Sequence, residues 1–160
     1  MLKSVLPKIK KSLLIFSIIL AASVGYCFTP GMDEQEMLTW GNKCLTQSFD
    51  QSSDTKLKKW ELELTPDAFI RMRKTYQDGK QEYFSFHLHR LTDMDYLGTT
   101  ETGTLQLKTI ADDIIVQTYN DKQGDLDSLA TILSIPVKNM EPERLDSLQM
   151  VLNYFKAKNL

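Results

Sequence analysis

Two neighbouring stretches of the sequence carry the side chains best suited to bind a ligand. The residues that share this character are Arg71, Arg73, Tyr83, Ser85, His87 and His89. Within each stretch they are two positions apart, and residues at that spacing on a β-strand share one face. Guanidinium groups, aromatic rings, hydroxyls and imidazoles together suit an anionic or aromatic ligand. We therefore predict that these six residues form a ligand-binding face.

The two histidines raise the question of a metal site. His87 and His89 are the only histidines of the chain, and their spacing on a strand directs both rings to one side. Asp67, Asp93 and Asp95 are close enough in sequence to supply a carboxylate. No HExxH helix, cysteine cluster or dense carboxylate set completes such a site, so we expect neither a metal nor another cofactor.

Motifs for catalysis are weak. Ser85 and His87 are two apart on one predicted strand, where side chains point alike without approaching closely, and no GxSxG motif is present. The 7 glycines are scattered singly and form no phosphate-binding loop. The sequence favours a non-enzymatic protein, with a metal-dependent hydrolase that uses His87 and His89 as the alternative.

A change of hydrophobic period at Leu57 separates helical from extended segments. Trp60, Leu62 and Leu64 alternate with acidic residues, which indicates a strand with one apolar face. Further strands are predicted over 68–76, 80–90, 94–99, 104–110, 114–119 and 130–135, the last ending before Pro136.

The register of the hairpin formed by 68–76 and 80–90 follows from its side chains. A three-residue loop ending at Gly79, with this glycine in the left-handed conformation, sets Phe84 opposite Met72 and Phe86 opposite Ile70. This register builds one apolar face. The six candidate binding residues then lie on the opposite face.

Helices are predicted at both ends of this strand-rich region. Asp33 and Glu36 have the spacing of a capping box for a helix over 33–47, although Gly41 weakens that prediction. Pro142 opens a second, amphipathic helix over 142–157. We predict an α+β fold: a curved antiparallel β-sheet or half-barrel of about 6–7 strands, with an N-terminal and a C-terminal helix.

The first residues have the pattern of a secretory signal. Lysines at positions 3, 8, 10 and 11 precede an apolar run and small residues at 21–25. The apolar run is about 12 residues, against about 20 for a bilayer-crossing helix, so we predict no permanent membrane span. The expected organisation is a signal peptide over 1–25, an N-terminal helix and linker over 26–55, and a β-rich domain with the C-terminal helix over 56–160.

The signal pattern predicts export to a secreted or periplasmic location, and this location bears on the two cysteines. Cys27 and Cys44 are expected to form a disulfide in an oxidising compartment. A lipid anchor at Cys27 is the alternative, but the large Tyr26 precedes it where bacterial lipoproteins have a small residue.

Charge excludes one class of partner. The segment 1–25 carries four lysines and no acid, so the remaining chain has 15 basic and 21 acidic residues, a net charge of about −6. Such a chain lacks the concentrated cations that nucleic acids require. We expect a small exported module that binds a small molecule or a partner protein through the face or mouth of its sheet. A protein-directed inhibitor, immunity protein or envelope-complex subunit is the alternative.

Overall fold

The computed structural model of the chain describes residues 31–158, so the predicted signal peptide and Cys27 lie outside the described residues. Helix α1 (Glu34–Ser48) precedes the strands and helix α2 (Pro142–Ala157) follows them. The eight strands are β1 (Leu57–Leu64), β2 (Phe69–Tyr76), β3 (Gln81–His87), β4 (Leu91–Gly98), β5 (Thr102–Thr109), β6 (Ile114–Tyr119), β7 (Asp127–Ala130) and β8 (Ile132–Lys138).

The strands form two antiparallel sheets. One has five strands in the order β1-β2-β3-β6-β7, and the other has three in the order β4-β5-β8. The α+β class and the two flanking helices are therefore confirmed. The prediction of one curved sheet or half-barrel with about 6–7 strands was wrong in its detail, because the described residues form eight strands in two sheets that do not close.

The strands are interrupted at two places that the sequence does not mark, and only the second is next to an additional strand, β7, most of which precedes the predicted strand 130–135. The first interruption is the 3₁₀ turn Leu88–Arg90, which ends β3 early and leads the chain into β4. The Leu88 side chain is buried, and its N–H donates to the Ala68 carbonyl at 2.8 Å. The second interruption is Thr131 between β7 and β8, whose carbonyl accepts from the Thr109 N–H at 2.9 Å. Both interruptions are held by contacts to residues distant in sequence.

Pro136 does not end the last strand as predicted, since it lies inside β8 opposite Thr104. Strand β8 is at the border of its sheet, where a residue without an N–H donor is tolerated. The Pro136 carbonyl is also used, because it accepts from the Asp50 N–H at 2.9 Å. Proline is therefore compatible with this strand.

The hairpin β2–β3 has the predicted register. Met72 pairs with Phe84 and Ile70 with Phe86. The loop has three residues, because the Tyr76 N–H donates to the Lys80 carbonyl at 2.9 Å. Gly79 has a φ of +92°, in the range that favours glycine. The apolar face of the hairpin thus points to the core as expected.

One hydrophobic core joins both sheets and both helices. Helix α1 contributes Leu38 and Leu45, and helix α2 contributes Leu148, Val151, Leu152 and Phe155. The sheets add the buried faces of their strands, including Ile70, Met72, Phe86, Leu105, Leu107 and Ile135. Within residues 31–158, no helix is sufficiently long and apolar to cross a membrane.

Helix α1 is fixed at its start by the predicted capping box. The Glu36 N–H donates to Asp33 Oδ1 at 2.8 Å, and the Asp33 N–H donates to Glu36 Oε2 at 3.1 Å. These two bonds satisfy backbone donors that have no partner inside the helix. The local sequence alone therefore determines where this helix begins.

Gly41 and Asn42 explain how α1 lies so close to its neighbours. A Cβ atom at Gly41 would stand 3.0 Å from Val151 Cγ1 of α2 and 3.4 Å from Leu64 Cδ2 of β1. Asn42 accepts from the Leu64 N–H through Oδ1 and donates to the Leu64 carbonyl through Nδ2, both at 2.8 Å. The asparagine amide thereby takes the place of a neighbouring strand at one end of β1.

Candidate functional site

The candidate site is the outer face, defined as the side of the five-stranded sheet that carries Arg71, Arg73, Tyr83 and Ser85. Arg71 pairs with Ser85 and Arg73 pairs with Tyr83 across β2 and β3. The alternating residues of both strands point into the core. The structure therefore brings these four residues together on the side away from the core.

Aromatic rings support both arginines of this face. The Arg71 guanidinium carbon lies 5.3 Å from the centre of the Phe69 ring, and that of Arg73 lies 5.8 Å from the centre of the Tyr83 ring. At these distances the ring quadrupole attracts the cation and favours one position of the side chain. The two guanidinium groups are thus held over the sheet while their N–H donors remain open to a ligand.

The two arginines differ in their contacts with acidic residues. Arg71 Nη2 lies 3.8 Å from Asp67 Oδ2, a long ion pair with exposed partners. Glu61 is opposite Arg73 in the register, but its carboxylate accepts from Lys59 Nζ at 2.6 Å, and Lys59 lowers the pKa of Glu61 more than Arg73 does. Among residues 31–158, no acidic group lies within ion-pair distance of Arg73. Arg73 is consequently the better placed cation for a carboxylate from outside.

Ser85 lies on the outer face among larger side chains. It is only 5% exposed although its side of the sheet faces solvent. Arg71 on β2 and Ile115 on β6 are its cross-strand neighbours, and larger residues flank it along β3. The bulk of these neighbours covers the small serine, so a ligand would contact the neighbours before the serine hydroxyl.

Sequence reasoning missed the half of the outer face that β6 and β7 provide. Ile115 on β6 pairs with Ser85 on one side and with Leu129 of β7 on the other. These two aliphatic side chains are 42% and 59% exposed. The available signal was the neighbouring pair Ile114 and Ile115, since consecutive residues of a strand cannot both face one core. Ile114 is fully buried, which leaves Ile115 on the outer face.

The two histidines come together at the end of β3, but not as two strand residues. His87 ends the strand, whereas His89 lies in the turn Leu88–Arg90, so its predicted position on a strand was wrong. Their ring centres are 4.4 Å apart, and the two Nδ1 atoms are 2.5 Å apart. His87 also meets the edge of the Phe69 ring at 4.8 Å. The pair therefore borders the outer face at Phe69.

His87 acts as the N-cap of this turn. Its Nδ1 accepts from the His89 backbone N–H at 3.1 Å, so this nitrogen carries no proton and the neutral ring is protonated at Nε2. A proton on His87 Nδ1 would face the backbone N–H of His89. Burial, together with the charge of His89, lowers the pKa of His87, while Asp67 opposes the shift. Folding accordingly favours the neutral imidazole.

We expect this cap to make the stability of the protein pH-dependent. Because the pKa of His87 is lower in the folded than in the unfolded chain, the stabilisation is complete above the unfolded pKa of about 6.5 and is lost as the pH falls below it. Asparagine at this position keeps an acceptor for the turn but does not titrate. His87→Asn should therefore gain stability relative to the wild type between pH 7 and pH 5, measured by urea unfolding at each pH. A stability difference that is constant over this range would contradict the role of His87.

The described residues assemble no metal centre around these rings. Among residues 31–158, no group of three or more His, Cys, Asp or Glu side chains is placed to hold a metal ion. Asp95 lies on β4 of the other sheet, where it accepts a hydrogen bond from Lys108. Asp93 is on the same strand. Asp93 and Asp95, which follow the histidines in the sequence, therefore lie on the other sheet, and Asp95 is already bonded to Lys108.

Cys44 is a buried thiol between the two helices. Arg144 Nε donates to its Sγ at 3.4 Å, and Arg144 Nη2 donates to its carbonyl oxygen at the same distance. Burial raises the pKa of the thiol, and the arginine opposes this shift. Cys44 is unpaired in residues 31–158. Its predicted partner Cys27 lies outside the described residues, so the disulfide stays a prediction, as does the alternative lipid anchor.

Comparison with known proteins gives no match: no protein-family model, no curated protein and no solved structure is significantly similar to the chain.

Proposed function

We propose that the chain is an exported, non-enzymatic binding module whose outer face recognises a small ligand or a partner protein. The observation that carries this proposal is the Arg73 guanidinium, which is held over Tyr83 without an ion-pair partner among the described residues. On the same face lies the exposed side chain of Ile115, which is paired with Ser85. Export is supported by the sequence pattern of 1–25 alone.

Binding fits the chemistry of this face better than catalysis does. Its groups are hydrogen-bond donors, rings and aliphatic side chains, which recognise a ligand without reacting with it. Ser85 and His87 are consecutive outward residues of one strand, and the His87 Nδ1 lone pair is engaged by the turn. His87 is therefore not arranged as a base that activates the serine.

Site-specific photo-crosslinking in the native host tests the proposal. A photoreactive phenylalanine derivative at Tyr83 should give a covalent adduct in the fraction outside the cytoplasm, because this position is the cross-strand neighbour of Arg73 on the outer face. The matched control places the same derivative at Leu97, which is 58% exposed on β4 of the other sheet. Adducts from the control but not from Tyr83, or from neither position, would contradict the proposed face. Adducts found only in the cytoplasm would contradict export.

A further inference from the structure

We infer that the occupant of the outer face is a partner protein, which places a carboxylate against Arg73 and apolar side chains against Ile115 and Leu129. This inference rests on the proposed function and narrows it to one class of ligand. It also extends the site from the β2–β3 hairpin to β6 and β7. Three properties of the face support it: its extent, its composition and its charge.

The extent of the face fits a macromolecule. One row of paired residues runs from Arg73 on β2 through Tyr83 and Gln117 to Asp127 on β7. With neighbouring strands about 4.8 Å apart, this row is about 14 Å long. A small ligand is usually enclosed over most of its surface, whereas the aliphatic side chains next to this row are about half exposed. A second protein surface covers such an open area more completely.

The composition of the face is that of a protein interface. Three of the nine exposed large hydrophobic side chains of residues 31–158 lie on the outer face, namely Ile115 and Tyr119 on β6 and Leu129 on β7. Ile115 and Leu129 are direct cross-strand neighbours in this region, so their exposed surfaces are continuous. Arginine and tyrosine beside an aliphatic patch are typical of the residues that dominate binding energy. The β6–β7 side would supply apolar contact and the β2–β3 side would supply polar anchors.

Charge complementarity selects the anchor. Arg71 already interacts with Asp67, and Glu61 interacts with Lys59. This leaves Arg73 as the cation of the outer face whose charge is not used by a close ion pair among the described residues. Its position over the Tyr83 ring reduces the conformational entropy lost on binding. A partner carboxylate can accept two parallel hydrogen bonds from this guanidinium.

The first experiment determines the mass of the Tyr83 photoadduct described above. An adduct with a protein supports the inference, and its tryptic peptides identify the partner. An adduct with a molecule below about 1 kDa overturns the inference but leaves the proposed function intact, since a small ligand still occupies the face. The absence of any adduct at Tyr83 would instead contradict the proposed function itself. A failure of the inference can therefore be distinguished from a failure of the proposed function.

The second experiment measures the Kd of the purified partner for variants of the full chain. Arg73→Glu should raise the Kd about 100-fold, because it places like charges in contact, and Leu129→Asp about 10-fold, because it introduces a charge into the apolar part of the contact. Leu97→Asp, on the other sheet, should change it less than about twofold. A partner variant that replaces the facing carboxylate by arginine should restore binding to Arg73→Glu. A Kd that responds to Leu97→Asp as strongly as to Arg73→Glu would overturn the assignment.

Discussion

Replacing Phe86 by alanine is expected to lower the free energy of unfolding by about 3–5 kcal/mol, whereas replacing Tyr83 should cost about 1 kcal/mol or less. The two aromatic residues belong to the same strand but to opposite faces. Phe86 is 1% exposed and packs in the core, and its removal leaves a cavity. Tyr83 contacts Arg73 on the outer face, where water can replace the lost ring.

Urea unfolding of the full chain, followed by circular dichroism, measures both costs. The comparison is demanding because the two substitutions remove rings of similar size from positions only three residues apart. Equal losses of stability, or a larger loss for Tyr83→Ala, would contradict the placement of Phe86 in the core and Tyr83 on the outer face. The binding proposal depends on this facing, since its anchors must be removable without unfolding the protein.

Local sequence signals were sufficient for the parts of the fold that local interactions determine. The β2–β3 register could be predicted because two alternating apolar pairs and Gly79 all agree on one loop length. The helix starts could be predicted for the same reason: the Asp33 side chain and Pro142 act within one turn of their own positions. Such agreement between neighbouring residues needs no knowledge of the rest of the chain.

The features that the sequence did not predict depend on tertiary contacts. Nothing in the alternation of 80–90 marks the turn Leu88–Arg90, which exists because Leu88 enters the core and binds the backbone beside β2. The same holds for Thr131, which separates β8 from the additional strand β7, most of which precedes the predicted strand 130–135. A continuous strand and an interrupted one have nearly the same apolar pattern, so strand number and sheet division could not be predicted.

The candidate site, too, could be predicted only in the part that local interactions determine. Its β2–β3 half followed from the hairpin register, because Arg71, Arg73, Tyr83 and Ser85 were fixed opposite the core residues. Its β6–β7 half depends on the pairing of Ser85 with Ile115, a contact between strands separated by β4 and β5. The pair Ile114 and Ile115 indicates that one of the two faces away from the core, but not which residues lie beside it on that face.

The last prediction concerns Gly41, the residue that argued against a helix in the sequence. Replacement by valine should lower the free energy of unfolding by about 3 kcal/mol, because the added atoms have no space between α1, α2 and β1. A Cβ atom alone would already stand 3.0 Å from Val151 Cγ1. Glycine has a poor helix propensity, but at this position it allows α1 to pack closely against α2 and β1. Thr46→Val, on the exposed side of α1, is the matched control and should change stability by about 0.5 kcal/mol or less.

A double-mutant cycle tests whether the contact with Val151 causes the loss of stability in Gly41→Val. Val151→Ala alone removes buried methyl groups and should be destabilising, but in combination with Gly41→Val it also removes the nearest obstacle. The double variant should therefore be more stable than the sum of the two single effects predicts, by about 1–2 kcal/mol. Additive costs, measured by urea unfolding, would mean that the clash is relieved elsewhere and that α1 does not pack against α2 at this point. The close approach of the helices would then need another explanation, and so would the glycine.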